Sequence, residues 1–260
     1  MISGSDVGQI NQMALSEQER SILQSKQNSP IVYRYDSAEA LRFELAMRAS
    51  IVNAAKAMQA SEVRFETFEN SKCNERYWTR TSTGGFQLKN GMSPSDAIND
   101  IFINGNLYGF ECATAIVIIW YKAVLDMIGK AAFDAYFTKL YLRDWNHDSD
   151  LWLISTNDNK EIFQGDVLYF KNPDHDPETP EWQGENVVLL ADNLFFGHGI
   201  GIETGEDIIA ALNKARFPGA RRSAYLSDLV VFPNFEYIRR LSTTRIEELL
   251  LLGNNRLIEV

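Results

Sequence analysis

Tyr108-Gly109-Phe110-Glu111-Cys112-Ala113-Thr114-Ala115-Ile116-Val117-Ile118-Ile119-Trp120 passes from a loop into an apolar run that continues to Ile128 and meets Gly129. The first two turns after Cys112 are apolar nearly all round, the pattern of a helix buried at the centre of a fold. Gly129 supplies a natural C-terminal stop. Cys112 falls at or just before the first turn, where unsatisfied N–H groups and the helix dipole favour an anion. The position therefore predicts a thiolate of depressed pKa, with the same N–H groups able to hold a developing oxyanion. A small buried core residue is the alternative reading of this cysteine.

Upstream, Ser93-Pro94-Ser95-Asp96 is a helix start: a Ser cap, Pro at the first helical position and an acid three residues after the cap. That helix is expected to end near Asn104-Gly105. From Ala38 to Met58, Leu41, Leu45, Met47, Ile51, Val52, Ala55 and Met58 recur mostly at three- and four-residue steps, an apolar stripe on a scaffold helix. Residues 1–30 are polar, with a Gln/Ser/Asn-rich run from Gln24 to Ser29, and read as a mobile arm with one short helix. Residues 31–260 then form a single domain. Downstream, Gly165 to Phe170, Val187 to Leu190 and Leu194 to Ile202 are β-prone runs between Pro, Asp and Asn clusters, read as strands of one sheet. Short helices are expected at Asp207 to Leu212 and Arg245 to Leu252. Helices first and strands later make the fold class α+β.

The 260 residues are 45% apolar and 12% aromatic, enough for a substantial core. The longest membrane-like run, Ala113 to Trp120, reaches Lys122 and Asp126 well short of the ~18 apolar residues a span needs. Met1 to Asn11 lacks the basic and apolar regions of a signal peptide, so the expectation is a soluble protein made in the cytoplasm. A formal charge of −10 argues against nucleic acid as the main partner and favours lysine-bearing ones. Cys73 and Cys112 are too few for a disulfide framework, and no Cys/His cluster or acidic loop has metal-site spacing, so neither cofactor nor metal is expected.

A base for Cys112 must come from His147, His175 or His198. His147 stands between Asn146 and Asp148, and His175 between two aspartates and two prolines, both loop settings. His198 lies in Phe195-Phe196-Gly197-His198-Gly199-Ile200-Gly201-Ile202, an apolar strand whose glycines leave room for another backbone or a substrate. A packed strand histidine is the competing reading. Glu185 is the candidate third group. If Asp192-Asn193 is a two-residue turn, Ala191 faces Leu194, Ile200 falls opposite Glu185, and Glu185 becomes the diagonal neighbour of His198. A three-residue loop would put the two on opposite faces.

Tyr108-Gly109-Phe110-Glu111-Cys112-Ala113-Thr114-Ala115, Glu181-Trp182-Gln183-Gly184-Glu185-Asn186 and Phe196-Gly197-His198-Gly199 resemble the bacterial spore-coat protein-glutamine γ-glutamyltransferases over roughly residues 30–230. The resemblance implies a papain-like NlpC/P60-type core, with the Cys-bearing helix packed on an antiparallel sheet that carries the His. It implies Cys112 as nucleophile, His198 as its partner, Glu185 as the catalytic carboxylate and Glu111 as partial cover for it. It also implies calcium independence, spore-coat proteins bearing glutamine and lysine as substrates, and the spore coat as location. A thioester needs shelter from water, for which Trp145 and Trp182 are candidate walls, each otherwise a core residue. Two other functions compete: an amidase or peptidase of cell-wall peptides on the same core, and a non-catalytic coat scaffold.

Overall fold

Every residue from Ala115 to Tyr121 is fully buried, which is why the helix that contains them cannot turn to present a different residue at its start. Burying each of Val117, Ile118 and Ile119 contributes about 1.5–3 kcal/mol relative to leaving it in water. The fold, a computed structural model, describes residues 2–3 and 14–243. The chain enters through β1 (Ile2–Ser3), α1 (Glu17–Asn28), β2 (Tyr33–Arg34) and the long α2 (Ala38–Ala60). Short strands β3 (Arg64–Phe65), β4 (Trp78–Arg80) and β5 (Phe86–Leu88) lead to α3 (Pro94–Ile103), β6 (Gly109–Phe110) and the central α4 (Cys112–Ile128). Then come α5 (Lys130–Tyr136), β7 (Tyr141–Leu142), β8 (Leu153–Asn157), β9 (Val167–Lys171), β10 (Gly184–Ala191) and β11 (Leu194–Gly197). β12 (Gly201–Thr204), α6 (Gly205–Lys214), β13 (Tyr225–Pro233) and α7 (Phe235–Thr243) complete the described chain.

Six strands form one sheet in the order β12-β11-β10-β9-β13-β8, with every neighbouring pair antiparallel. Side chains alternate across it. Val188, Leu190 and Phe196 join the main core with α2 and α4, while Val187, Leu189 and Phe195 join a second core with Ile208 and Leu212 of α6. The fold is thus α+β with the cysteine helix packed on an antiparallel sheet, consistent with a papain-like core. No helix among the described residues is long and apolar enough to cross a membrane.

The expected helices at Ala38 to Met58, after Ser93 and after Cys112 are all present, and Ser93 Oγ accepts from the Asp96 N–H at 3.3 Å. The helix expected at Arg245 to Leu252 lies outside the described residues. Two expectations need correction. The short helix expected within residues 1–30 is present as α1, started by a capping box at Ser16 and Glu19, but it is docked rather than mobile, with Ile22 and Leu23 packed on Leu41 and Leu45 of α2. Leu194 to Ile202 is not one strand but the hairpin β11–β12, because the chain reverses through His198, Gly199 and Ile200. Gly199 takes φ +106° there, a conformation closed to most L-residues.

Candidate active site

Cys112 is the first residue of α4, and Glu111 before it is the N-cap. The Glu111 carboxylate accepts from the N–H of Ala113 at 2.6 Å, the N–H of Thr114 at 2.7 Å and the Thr114 hydroxyl. Two of the helix N–H groups expected to serve an anion are therefore already taken by a fixed carboxylate. The Thr114 hydroxyl also accepts from the Asp144 N–H at 2.8 Å, which ties the Asp144-Trp145 segment to the start of α4.

This arrangement reverses the expected electrostatics. Burial pushes the Cys112 thiol up, and the carboxyls of Glu185 and then Glu111 push it further, so the resting group is a thiol and not a thiolate. The negative N-cap faces the sulfur with the opposite sign to the helix dipole. Burial, with Glu111 second, likewise raises Glu185 well above an ordinary carboxyl, and its Oε1 is buried without a hydrogen-bond partner. The opposing influence on Glu185 is the backbone N–H of His198.

His198 sits in the turn directly after β11, buried against Phe110 with ring centroids 5.2 Å apart. Its Nε2 lies 3.1 Å from the Phe110 carbonyl and 3.3 Å from that of Arg64. Carbonyl oxygens only accept, so Nε2 carries the proton and Nδ1 is the basic nitrogen. Burial lowers the imidazole to about 4, against the two carbonyls that favour its charged form. The His198 imidazole makes no hydrogen bond to Cys112 or to a Glu185 oxygen among the described residues; the His198 group that reaches the Glu185 carboxyl is its backbone N–H.

The pairing expected for Glu185 is half right. Ala191 does face Leu194, but a bulge between Leu189 and Ala191 shifts the ladder so that Val187 faces Gly197 and Val188 faces Phe196. Ile200 does not reach Glu185. Instead, the Glu185 side chain lies over Gly197, where an added Cβ would sit 2.9 Å from Glu185 Cγ. Gly197 is thus the space that the Glu185 carboxyl occupies, and His198 follows by one residue.

A cleft of about 480 Å³ opens onto Cys112, walled by Phe65, Phe68, Trp145 and Tyr169 and edged by Glu111, Asp144 and Glu181. Trp145, one of the two candidate walls, lines this cleft, with Trp120 behind it at 5.9 Å between centroids. Trp182, the other, packs against the second core, while its neighbours Pro180, Glu181 and Gln183 face the cleft. The short turn of 3₁₀ helix over Pro180–Gln183 rotates that one side chain inward. His147 is exposed, and His175 bonds the Asn172 carbonyl at 3.2 Å, so neither competes with His198. Cys73 lies beside the main core, its thiol raised to about 11 by burial and Glu75. Among the described residues no group of three or more His, Cys, Asp or Glu could hold a metal ion.

One residue at the sulfur had not been singled out. Asn186 Nδ2 donates to Cys112 Sγ at 3.3 Å. It shares the face of Val188 and Leu190, and a polar residue continuing an apolar face toward the cysteine helix was the available signal.

The family profile described as protein-glutamine gamma-glutamyltransferase matches residues 1–242. The chain is 48% identical over 238 residues to the protein-glutamine gamma-glutamyltransferase of Halalkalibacterium halodurans, covering 92% of this chain and 81% of that one. It is 46% identical over 213 residues to that of Bacillus mycoides, covering 82% and 77%. Among solved structures, the transglutaminase from Geobacillus stearothermophilus without its C-terminal extension matches with a TM-score of 0.76 and 49% identity, over 80% of this chain and 100% of that one.

Proposed function

The chain belongs to the protein-glutamine gamma-glutamyltransferase family and is an acyltransferase, and we propose that it joins glutamine to lysine through a thioester on Cys112. The observation that carries this reading is the Cys112 thiol fixed at the first turn of a buried helix and opening into an aromatic cleft with acidic edges. Aromatic walls suit the aliphatic stems of glutamine and lysine, and the carboxyls of Glu111, Asp144 and Glu181 suit an ammonium.

In the first half-reaction, His198 Nδ1 takes the proton as Cys112 Sγ bonds to the glutamine amide carbon. The tetrahedral intermediate collapses with loss of the C–N bond, the leaving nitrogen takes the proton from His198, and ammonia departs from the thioester. The carbonyls of Arg64 and Phe110 stabilise the transient imidazolium. In the second half, the lysine ammonium gives a proton to Glu185, and the amine attacks the thioester carbon. The C–S bond breaks, sulfur regains a proton through His198, and an ε-(γ-glutamyl)lysine isopeptide leaves. A carboxyl raised by burial suits that step, because its proton affinity lies closer to that of an amine. Glu111, bound to its own helix, serves first as cap and only then as a reserve base.

The substrates assigned are glutamine- and lysine-bearing proteins of the spore coat, on the resemblance of the three motifs around Cys112, Glu185 and His198. The test offers a glutamine protein with a labelled primary amine, then searches by mass spectrometry for the lysine–glutamine isopeptide after incubation with protein alone. Amine incorporation by the wild type and by Cys73→Ala, but not by Cys112→Ala, is expected. Release of ammonia with glutamate and no incorporated amine would instead make the protein a hydrolase.

A further inference from the structure

The sheet residue whose side chain hydrogen-bonds to the Cys112 sulfur is neither His198 nor Glu185. It is Asn186, whose Nδ2 lies 3.3 Å from Cys112 Sγ at the floor of the cleft. The residue is 7% exposed and held by the β10–β9 ladder, where it pairs with Tyr169. Its placement follows from strand alternation: Val188 and Leu190 point into the core shared with α4, and Asn186 continues that row to the end of the helix. An unpaired asparagine buried there would be costly, and its N–H finds the sulfur.

The sulfur needs such a donor. The N–H groups of Ala113 and Thr114, which would otherwise hold negative charge near the helix start, are bonded to Glu111. Both carboxyls beside the sulfur resist its ionisation, and the side chain and backbone N–H of Asn186 are the groups that favour it. A lysine or arginine at this place would pair with Glu185 or Glu111 and restrain them. A neutral amide supports the charge on sulfur and leaves the carboxyls free.

We propose that Asn186 is a further catalytic residue, whose side-chain amide holds the negative charge on Cys112 Sγ as the proton leaves. The proposal rests on Cys112 being the nucleophile. When Sγ bonds to the amide carbon, the charge moves to the carbonyl oxygen attached to that carbon, next to the same donor. Asn186 thus serves ionisation directly and lies beside the oxyanion that follows.

The test compares the full chain as wild type, Asn186→Ala, Asn186→Asp and Cys112→Ala. Iodoacetamide alkylation is followed from neutral to alkaline pH with peptide mapping of the labelled cysteine, and amine incorporation is measured in parallel. In the wild type the label is expected on Cys112. Asn186→Ala should move the alkylation midpoint to higher pH and lower the maximal turnover by about 10²-fold, the usual effect of removing one such donor. The KM for the amine should change far less, because Asn186 faces the sulfur. Asn186→Asp keeps the shape and replaces the donor by a third carboxyl, so its midpoint should move further, and it decides the matter if the alanine variant fails to fold. Label on Cys112 with an unmoved midpoint in the folded variant overturns the role of Asn186 alone. Label on Cys73, or an active Cys112→Ala, overturns the role of Cys112 and this one with it.

Discussion

At the level of single residues, Cys112 and Glu185 oppose each other at rest, whereas the proposed mechanism has them cooperate in turnover, which separates two measurements that usually move together. Glu185→Gln removes a group that raises the Cys112 thiol, so alkylation at a given neutral pH should become faster. Amine incorporation should nevertheless fall, since Gln cannot accept the lysine proton. If Glu111 covers for Glu185, the double Glu111→Gln, Glu185→Gln variant loses more than the product of the two single losses, and strictly independent losses remove the shared role. His198 gives a stability signal. Its folded pKa of about 4 lies below the free value of 6.5, so the native state binds fewer protons than the unfolded one between those values. That contribution is complete above pH 6.5 and is lost as pH falls through 4, a change of about 3 kcal/mol. The stability difference between wild type and His198→Gln, from denaturant unfolding, should grow with pH across this window and level off above it. Cys112, His198 and Glu185 could be nominated from the sequence because helix start, glycine-flanked histidine and motif spacing are local features. The charge state of Cys112 was not, because it depends on which way the Glu111 side chain turns, and that is settled by the N–H groups of Ala113 and Thr114.

The secondary-structure elements show the same division between local and long-range information. α4 could be read from its apolar run and Gly129, and α2 and α3 from stripe and cap, since each signal lies within a few residues of what it determines. Strands β8 and β13 escaped notice although Leu229-Val230-Val231-Phe232 is a β-prone run, because β13 finds its partners at β9 and β8, far away in sequence. The hairpin β10–β11 was half legible: the turn was placed correctly, but the bulge between Leu189 and Ala191 leaves no mark in composition. That bulge gives Gly197 its importance, since it brings Glu185 over a residue with no side chain. Gly197→Ala would place a Cβ 2.9 Å from Glu185 Cγ and 3.0 Å from its Oε1, and the carboxyl must move. Backbone strain is not at issue there, because Gly197 has no positive φ. Amine incorporation should therefore fall by at least about tenfold, comparable with other losses of a positioned acid or base, while the circular dichroism and thermal midpoint stay close to wild type. A fully active Gly197→Ala protein would mean that the Glu185 carboxyl need not occupy this place.

For the whole molecule, the first helix, the long second helix and the sheet are joined by buried charges rather than by apolar contact alone. Arg48 of α2 bonds Glu44 at 2.8 Å and Asp166, just before β9, at 2.6 Å, and Lys26 of α1 meets Glu44 at 2.8 Å. Burial works against Glu44, but Arg48 and then Lys26 outweigh it and hold the carboxyl at about 2. The Arg48 guanidinium also lies 4.7 Å from the Phe235 ring centroid, which brings α7 into the same knot. A polar N-terminal segment concealed this role, because Lys26 in a Gln/Ser-rich run looks solvated until α1 is folded and Ile22 and Leu23 turn it inward. Arg48→Met keeps the apolar stem but leaves the buried Asp166 without its ion-pair partner and Glu44 with Lys26 alone, and removing one partner of such a pair costs about 3–5 kcal/mol. Lys26→Met should cost less, since Glu44 keeps Arg48. Denaturant unfolding should rank the proteins as wild type, Lys26→Met, Arg48→Met in falling stability. The knot includes none of Cys112, Glu185, Asn186 or His198, so amine incorporation well below the thermal midpoint should remain near wild type in the Lys26 variant. A Lys26→Met protein of normal stability but low activity would reverse the assignment, and would make α1 part of the catalytic apparatus instead of a clasp on the scaffold.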